Sequence, residues 1–176
     1  MDIKDIQEQL VSRHRDFIHD LRPLSEADFL YAPEGKWNAG QQADHIRMSV
    51  RPLNHALMLP AFIIRMLFGK ANRPSRSYDE LVERYHQKLQ AGGRAPSRFQ
   101  PRGCSYGERV SLAKALMKQV DGVSGKAGRF SESDLDSLIL PHPLLGKVTL
   151  REMLYFTIYH VGHHGEQVKA NLVKRN

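Results

Sequence analysis

The sequence predicts an all-α protein, a four-helix bundle with additional short helices and loops. Two observations lead to this prediction. Apolar residues recur at three- and four-residue spacing along most of the 176-residue chain, and no segment shows the strict alternation of a half-buried strand. Helices that each have one apolar face bury those faces by packing into a bundle. We expect one domain over residues 1–176, since this length suits a single hydrophobic core.

The first two long helices follow from apolar spacing and capping signals. A helix is predicted over about residues 2–21, and Pro23 stops it. Its inward positions are Ile3, Ile6, Leu10, Phe17 and Leu21. Asn38 and Gln41 have the spacing of a capping box, so a second helix is expected to start there. Pro52 is expected to kink or interrupt that second helix.

In the middle of the chain, the sequence predicts two more helices separated by a loop. Ser77 and Glu80 form another capping box, and the helix they open ends at Gly92-Gly93. A loop over 93–107 follows. Helical spacing resumes near Glu108 and fades at the glycines from 122 to 128.

The last helix is the most clearly marked. Residues 131–148 form a connector with a short turn of helix at most. Thr149 and Glu152 then give a third capping box, and the helix continues to about Leu172.

Composition indicates a cytoplasmic protein without a membrane partner. The first ten residues are charged from Asp2 onward, unlike a signal peptide. The longest apolar run, 57–68, is too short to span a bilayer and contains Pro60 and Arg65. That run is either part of the core or the interface of a homodimer. The single cysteine, Cys104, excludes an internal disulfide and fits a reducing compartment.

The net charge of +7 is concentrated in one segment. Residues 70–102 contain eight Lys or Arg residues and three Asp or Glu residues, which accounts for five of the seven excess charges. A basic stripe can attract nucleic acid or an anionic small molecule, but it is more often a solvated surface. The segment has no aromatic-plus-basic motif of the RNA-binding kind, so nucleic acid is the least favoured partner.

Three histidines lie close together in the stretch YHVGHHGEQV, residues 159–168. His160 and His164 are one helical turn apart on one face, a spacing that can chelate a divalent metal. His163 is rotated about 100° from His164 and cannot join them. Such a pair is weak support for a metal site by itself, because the polar surface of a helix can show the same spacing. A zinc-protease motif is excluded, since Val161 stands where the glutamate would be.

A third ligand has to come from another helix. His45 is the best placed, because it shares a polar strip with Asn38, Gln41, Gln42 and Ser49. His55 is roughly 15 Å further along the same helix and cannot share a metal with His45. His14 lies in the apolar seam of the first helix, as a core histidine with one hydrogen bond or as part of a pocket wall. The remaining candidates are His19, His86 and His142.

Two motifs resemble the DinB/YfiT-like superfamily. The stretch Trp37–Ile46 resembles the start of the second helix of that family, and His160–Val168 resembles its closing motif, H-x-x-x-H-x-x-Q followed by an apolar residue. The segments leading into both helices, 24–37 and 142–154, are also similar. The middle of the chain, about 69–130, matches only in being helical.

This resemblance implies a four-helix bundle that holds a divalent metal, zinc or nickel, with three histidines. By position these are His45, His160 and His164. Characterised members of the family use low-molecular-weight thiols, as transferases or isomerases acting on small molecules. The resemblance therefore implies a metal site and a thiol cofactor.

The chemistry of such a site leaves alternatives. Three neutral ligands leave an open position, as in catalytic zinc sites, and the metal would acidify a bound thiol or water. Thiol transfer, thiol-assisted isomerisation and hydrolysis by metal-bound hydroxide all fit, as does a bundle that binds metal without catalysis. Gln41 and Gln167 are expected to orient the ligands, or else to be surface amides. No catalytic residue besides the ligands is predicted, and Cys104 is interpreted as a free loop thiol.

Overall fold

The computed structural model describes residues 1–175, of which most are helical. The eight α-helices of this range are α1 (Ile3–Leu21), α2 (Glu26–Leu30), α3 (Ala39–Ala56), α4 (Ala61–Phe68), α5 (Tyr78–Gln90), α6 (Arg109–Ala127), α7 (Glu132–Ser137) and α8 (Leu150–Val173). Two short 3₁₀ turns cover Ser97–Phe99 and Tyr106–Glu108. The predicted all-α class is confirmed.

The four longest helices pack in a closed ring around the core. α1 contacts α6 and α8, and α3 contacts the same two helices from the other side. Each helix contributes one apolar stripe, as its sequence period predicts. The fully buried side chains of these stripes include Ile6, Leu10, Ile46, Leu116, Val120, Leu154 and Val161. This arrangement brings α3 and α8 side by side, which are the two helices that contain the candidate ligands.

The three predicted capping boxes are all present. In each, the side chain of the first residue accepts a hydrogen bond from the backbone N–H three residues later. The side chain of that later residue accepts one from the backbone N–H of the first. The pairs are Asn38 with Gln41, Ser77 with Glu80, and Thr149 with Glu152. Local sequence therefore fixes where α3, α5 and α8 begin.

Two helices are more continuous than the sequence predicted. α3 runs through Pro52 to Ala56 without interruption. α6 continues through Gly122 to Ala127, although helical spacing fades at the glycines. A Cβ atom at Gly122 would lie 2.8 Å from the side-chain oxygen of Asn54 on α3, so glycine permits a close approach of α6 to α3.

The expectation that the chain contains no strand was wrong for one short segment. Strand β1 (Ile139–His142) pairs antiparallel with β2 (Gly146–Thr149), with Ile139 opposite Thr149. Each strand has four residues, too few for alternation to be recognised in the sequence. The hairpin leads directly into α8 and forms part of the wall of the cavity described below.

The apolar run 57–68 is divided between core and surface. Leu57 and Ile64 are fully buried, whereas Phe62 and Met66 on α4 are 68% and 72% exposed. The run is therefore only partly a core segment. That its exposed side forms a homodimer interface stays a prediction. In residues 1–175, no helix combines the length and apolar character needed to cross a membrane.

Candidate metal centre

Three buried histidines from α3 and α8 meet at one point. His45 lies on α3, and His160 and His164 lie one turn apart on α8; each is at most 5% exposed. The Nε2 atom of His160 is 3.4 Å from Nε2 of His45 and 3.0 Å from Nε2 of His164. The structure thus brings together the three residues that the sequence assigned to the metal.

Hydrogen bonds fix the tautomers of two of these rings. His45 donates from Nδ1 to the backbone oxygen of Phe99 at 2.7 Å, and His164 donates from Nδ1 to the side-chain oxygen of Gln42. A neutral imidazole has one N–H group, so both Nε2 atoms present a lone pair. This is the tautomer that a metal ligand needs.

Burial keeps all three rings neutral. It lowers the pKa of His45, and it lowers the pKa values of His160 and His164 well below the usual histidine range. The proximity of the other imidazoles lowers the pKa values of His160 and His164 further. The three rings are therefore neutral near neutral pH, and each has one unprotonated ring nitrogen that can bind a metal.

The spacing of the Nε2 atoms fits a metal ion. Two nitrogens bound at about 2.05 Å to one tetrahedral zinc are about 3.3 Å apart, close to the 3.0 and 3.4 Å observed. Without an ion, the one N–H group that His160 can place at Nε2 satisfies at most one of the two facing lone pairs. An ion satisfies all three nitrogens at once.

No acidic residue or cysteine joins the cluster within residues 1–175, and its ligand group consists of the three histidines alone. The carboxylate of Asp44, next to His45 in sequence, is bound by Arg47 at 2.7 and 3.0 Å. A bound divalent ion would keep its full charge, because imidazoles contribute none.

The predicted orienting glutamines have different roles. The side chain of Gln41 caps α3 through the backbone of Asn38. Gln167 accepts a hydrogen bond from Gln42 at 3.1 Å and donates to His163 at 2.7 Å. The direct contact with His164 belongs to Gln42, which also donates weakly to the backbone oxygen of Trp37 at 3.4 Å.

The sequence places Gln42 on the polar strip of His45, but it assigns neither Gln42 nor Phe99 as a partner of the ligands. A signal existed for Gln42, because it precedes His45 by three residues and residues three apart share a helix face. None existed for Phe99, whose backbone oxygen reaches His45 from a distant loop.

His163 lies outside the cluster, as predicted. It is half-buried, and its Nε2 atom accepts the hydrogen bond from Gln167. Burial lowers its pKa, and the neighbouring His86 and His45 lower it further. Tyr159 binds His86 at 2.6 Å on the same side.

Aromatic rings pack around the ligands. Trp37 lies 4.9 Å from His45 between ring centroids, and Phe156 stacks on His160 at 4.6 Å. These contacts restrict rotation of the imidazoles. Both aromatic rings also line the cavity that the cluster faces.

The three histidines line a cavity of about 960 Å³ between α3, α8, the loop 95–102 and the β1–β2 hairpin. This volume is at the upper end of what small-molecule sites usually have. Its wall includes His14 of α1, which is fully buried. His14 donates from Nδ1 to the Leu10 oxygen at 2.7 Å, and its Nε2 atom has no partner in the described chain.

Cys104 does not contribute a reactive thiolate. It is half-buried and free, and its thiol contacts the backbone oxygen of Ser105 at 3.3 Å. Burial raises its pKa, and the negative charges of Glu108 and Asp44 raise it further. The interpretation as a free loop thiol agrees with these contacts.

The chain matches a known protein family. The model of the DinB superfamily matches residues 9–168, a range that contains the three histidines and almost the whole bundle. No match was found among curated proteins, and none among solved structures.

Proposed function

The chain belongs to the DinB superfamily, and on this premise we propose that it is a divalent-metal-dependent enzyme whose metal is held by His45, His160 and His164. Zinc or nickel is the proposed metal. The proposed reaction is the transfer of a low-molecular-weight thiol to a small electrophilic substrate, or a thiol-assisted isomerisation.

The observation that supports this proposal most strongly is the convergence of the three Nε2 atoms on the wall of the cavity. A divalent metal bound there would supply an open coordination position and would lower the pKa of a thiol that occupies it. Structural metal sites usually have four protein ligands, whereas three with an accessible position are typical of catalytic sites.

The chain's own residues would prepare the ligands and the substrate space. The Phe99 backbone and the Gln42 side chain hold two rings in the ligating tautomer. Trp37 and Phe156 pack against the His45 and His160 rings and limit their rotation. The cavity has room for a thiol and an electrophile together.

In a transfer, the electron pair of the thiol sulfur would form a bond to the electrophilic carbon while the bond from that carbon to its leaving group breaks. The thiol proton and the leaving group would pass to water through the open side of the cavity. This requires no redox partner. The choice of a thiol rests on the family resemblance, and the same site also supports hydrolysis.

The test is turnover of alkyl halides and epoxides by zinc- or nickel-loaded protein with a panel of low-molecular-weight thiols. Turnover should disappear in metal-free protein and in His164→Ala, and it should persist in the matched control His19→Ala, which alters an exposed histidine of α1. Equal activity in metal-free protein would refute the proposal. Ester hydrolysis without thiol would replace it by the hydrolase alternative, and loaded protein without any turnover would indicate a non-catalytic metal-binding bundle.

A further inference from the structure

Three arginines without an acidic partner line the cavity of the histidine cluster. Arg51 lies on α3, and Arg98 and Arg102 lie in the loop that closes one side of the cavity. All three are exposed. The ion pairs of the described chain involve other arginines, so the charges of these three are not compensated by a carboxylate.

Three other arginines near the cavity or in the basic segment do have acidic partners. Arg73 and Arg76 bind the fully buried carboxylate of Glu152. Arg47 also lines the cavity, but it binds Asp44, the one carboxylate in the described cavity wall. Within the basic segment 70–102, Arg73 and Arg76 thus form structural ion pairs, whereas Arg98 and Arg102 line the cavity without one.

The loop that contains Arg98 and Arg102 is hydrogen-bonded to the histidine cluster. Arg98 directly precedes Phe99, whose backbone oxygen accepts the hydrogen bond from His45. The Arg98 guanidinium lies 5.0 Å from the centroid of the Phe99 ring. The cavity wall also contains apolar side chains, among them Leu144 and Phe156.

We infer that Arg51, Arg98 and Arg102 form an anion-binding rim, which holds a carboxylate or phosphate group of the substrate while its reacting atom reaches the histidine cluster. This inference rests on the proposed function and names its substrate class: a small anionic molecule with an apolar body. Guanidinium groups bind both anions through paired N–H donors, so either can provide the charge.

The test compares charged and neutral thiols of the same shape. Cobalt-loaded protein is titrated with ω-mercaptocarboxylic acids of increasing chain length, with the corresponding amides, and with ω-mercaptoalkyl phosphates, and the thiolate-to-cobalt absorption band gives each dissociation constant. At the length that spans the cavity, the acid or the phosphate should bind at least about tenfold more tightly than the amide, as for a charge-assisted hydrogen bond. The stronger of the two identifies the anion.

The variants separate the rim from general surface charge. The double variant Arg98→Ser/Arg102→Ser should bind acid and amide within about twofold of each other. Arg94→Ser is the matched control, because Arg94 is an exposed arginine of the same segment that does not line the cavity. It should keep the preference for the anion. If Arg94→Ser loses the preference for the acid as fully as the double variant, the inference is overturned, because only the overall charge of the protein would then matter.

Failure of the inference and failure of the proposed function have different outcomes. If cobalt-loaded protein binds acid and amide equally, the rim has no role and the metal site stands. If the protein takes up no metal, the proposed function fails, and the rim is tested with inorganic phosphate by NMR. The guanidinium signals of Arg98 and Arg102 should then shift saturably while that of Arg94 does not, and parallel shifts of all three would refute the rim.

Discussion

Two buried polar groups on the same helix differ in how completely they are paired. At the start of α8, the Glu152 carboxylate is fully buried and accepts five hydrogen bonds, from the side chains of Arg73 and Arg76 and from the backbone of Arg76 and Thr149. Two to four turns further on, His160 and His164 are equally buried, but their Nε2 atoms face each other and a cavity.

The difference separates a structural role from a functional one. Burial raises the pKa of Glu152, but the bonds from Arg73 and the two backbone N–H groups outweigh it, so the net pKa is lowered and the charge is retained. The histidines have no such compensation and remain neutral. Buried polar groups are nearly always paired, and His160 can donate to only one of the two Nε2 atoms that face it, so the cluster suits a metal ion. Substitutions at Glu152 and at Gln42 should therefore affect the two groups separately, and His14 offers a further buried group to compare.

Glu152→Ala should destabilise the fold most. It leaves the Arg73 and Arg76 side chains without their partner and removes the acceptor for the backbone N–H of Thr149, which is half of the capping box of α8. The loss should be about 3 kcal/mol, at the lower end for a buried ion pair because both arginines are partly exposed. Urea denaturation of metal-free protein measures it. Metal stoichiometry should stay as in wild type, and a loss of metal without loss of stability would contradict the separation of the two groups.

Acid should weaken the fold through His14. Burial lowers the pKa of His14 to about 4, whereas the unfolded chain keeps about 6.5. Between these values the unfolded state binds a proton that the folded state does not, so stability is intact above pH 6.5 and falls as the pH drops to 4. The loss from this residue should reach roughly 3 kcal/mol at pH 4. The measurement is the difference between wild type and His14→Leu in denaturation curves from pH 7 to pH 4; parallel curves would contradict it.

Gln42→Ala and Gln41→Ala sharpen the comparison within one helix turn. Gln42 orients His164, so its loss should weaken metal binding about 10- to 100-fold. It should also cost about 1–3 kcal/mol of stability in the metal-free protein, because the buried Nδ1–H group of His164 loses its acceptor. Gln41 caps α3, so its loss should cost about 0.5–1 kcal/mol of stability and leave metal affinity unchanged. Competition with a chelator and urea denaturation measure the two effects. If Gln41→Ala weakens metal binding and Gln42→Ala does not, Gln41 is the orienting residue after all.

His14→Leu should stabilise the protein slightly at pH 7. Leucine removes the unpaired Nε2 atom, whose burial costs free energy, and the Leu10 oxygen that His14 contacts keeps its helical bond. The expected gain is about 1 kcal/mol, measured by thermal or urea denaturation. A loss of stability would show that the Nε2 atom has a partner in solution, such as a buried water.

The parts of the molecule that could be predicted from sequence are those fixed by local rules. The capping boxes at Asn38, Ser77 and Thr149 and the apolar period predicted where the long helices lie. The four-residue spacing of His160 and His164 predicted that they share a face. The partnership with His45 required the family resemblance, because it joins residues 115 positions apart.

The rest depends on tertiary contacts that have no local signature. The oxygen of Phe99 is a backbone atom, so any residue there could bind His45. The choice of Gln42 over Gln41 depends on the rotation of α3 against α8, since both lie within a turn of His45. The β1–β2 hairpin is too short for its alternation to be recognised, and the place of Arg98 and Arg102 on the cavity follows from the path of a loop.

The most direct test of the central claim is the metal content of untagged protein purified without added metal, measured by plasma mass spectrometry. Wild type and His19→Ala should contain about one equivalent of zinc or nickel, and His45→Ala and His164→Ala should contain almost none. If wild type contains no metal even after zinc or nickel is offered, or if the two ligand variants keep it, the three histidines are not the metal centre.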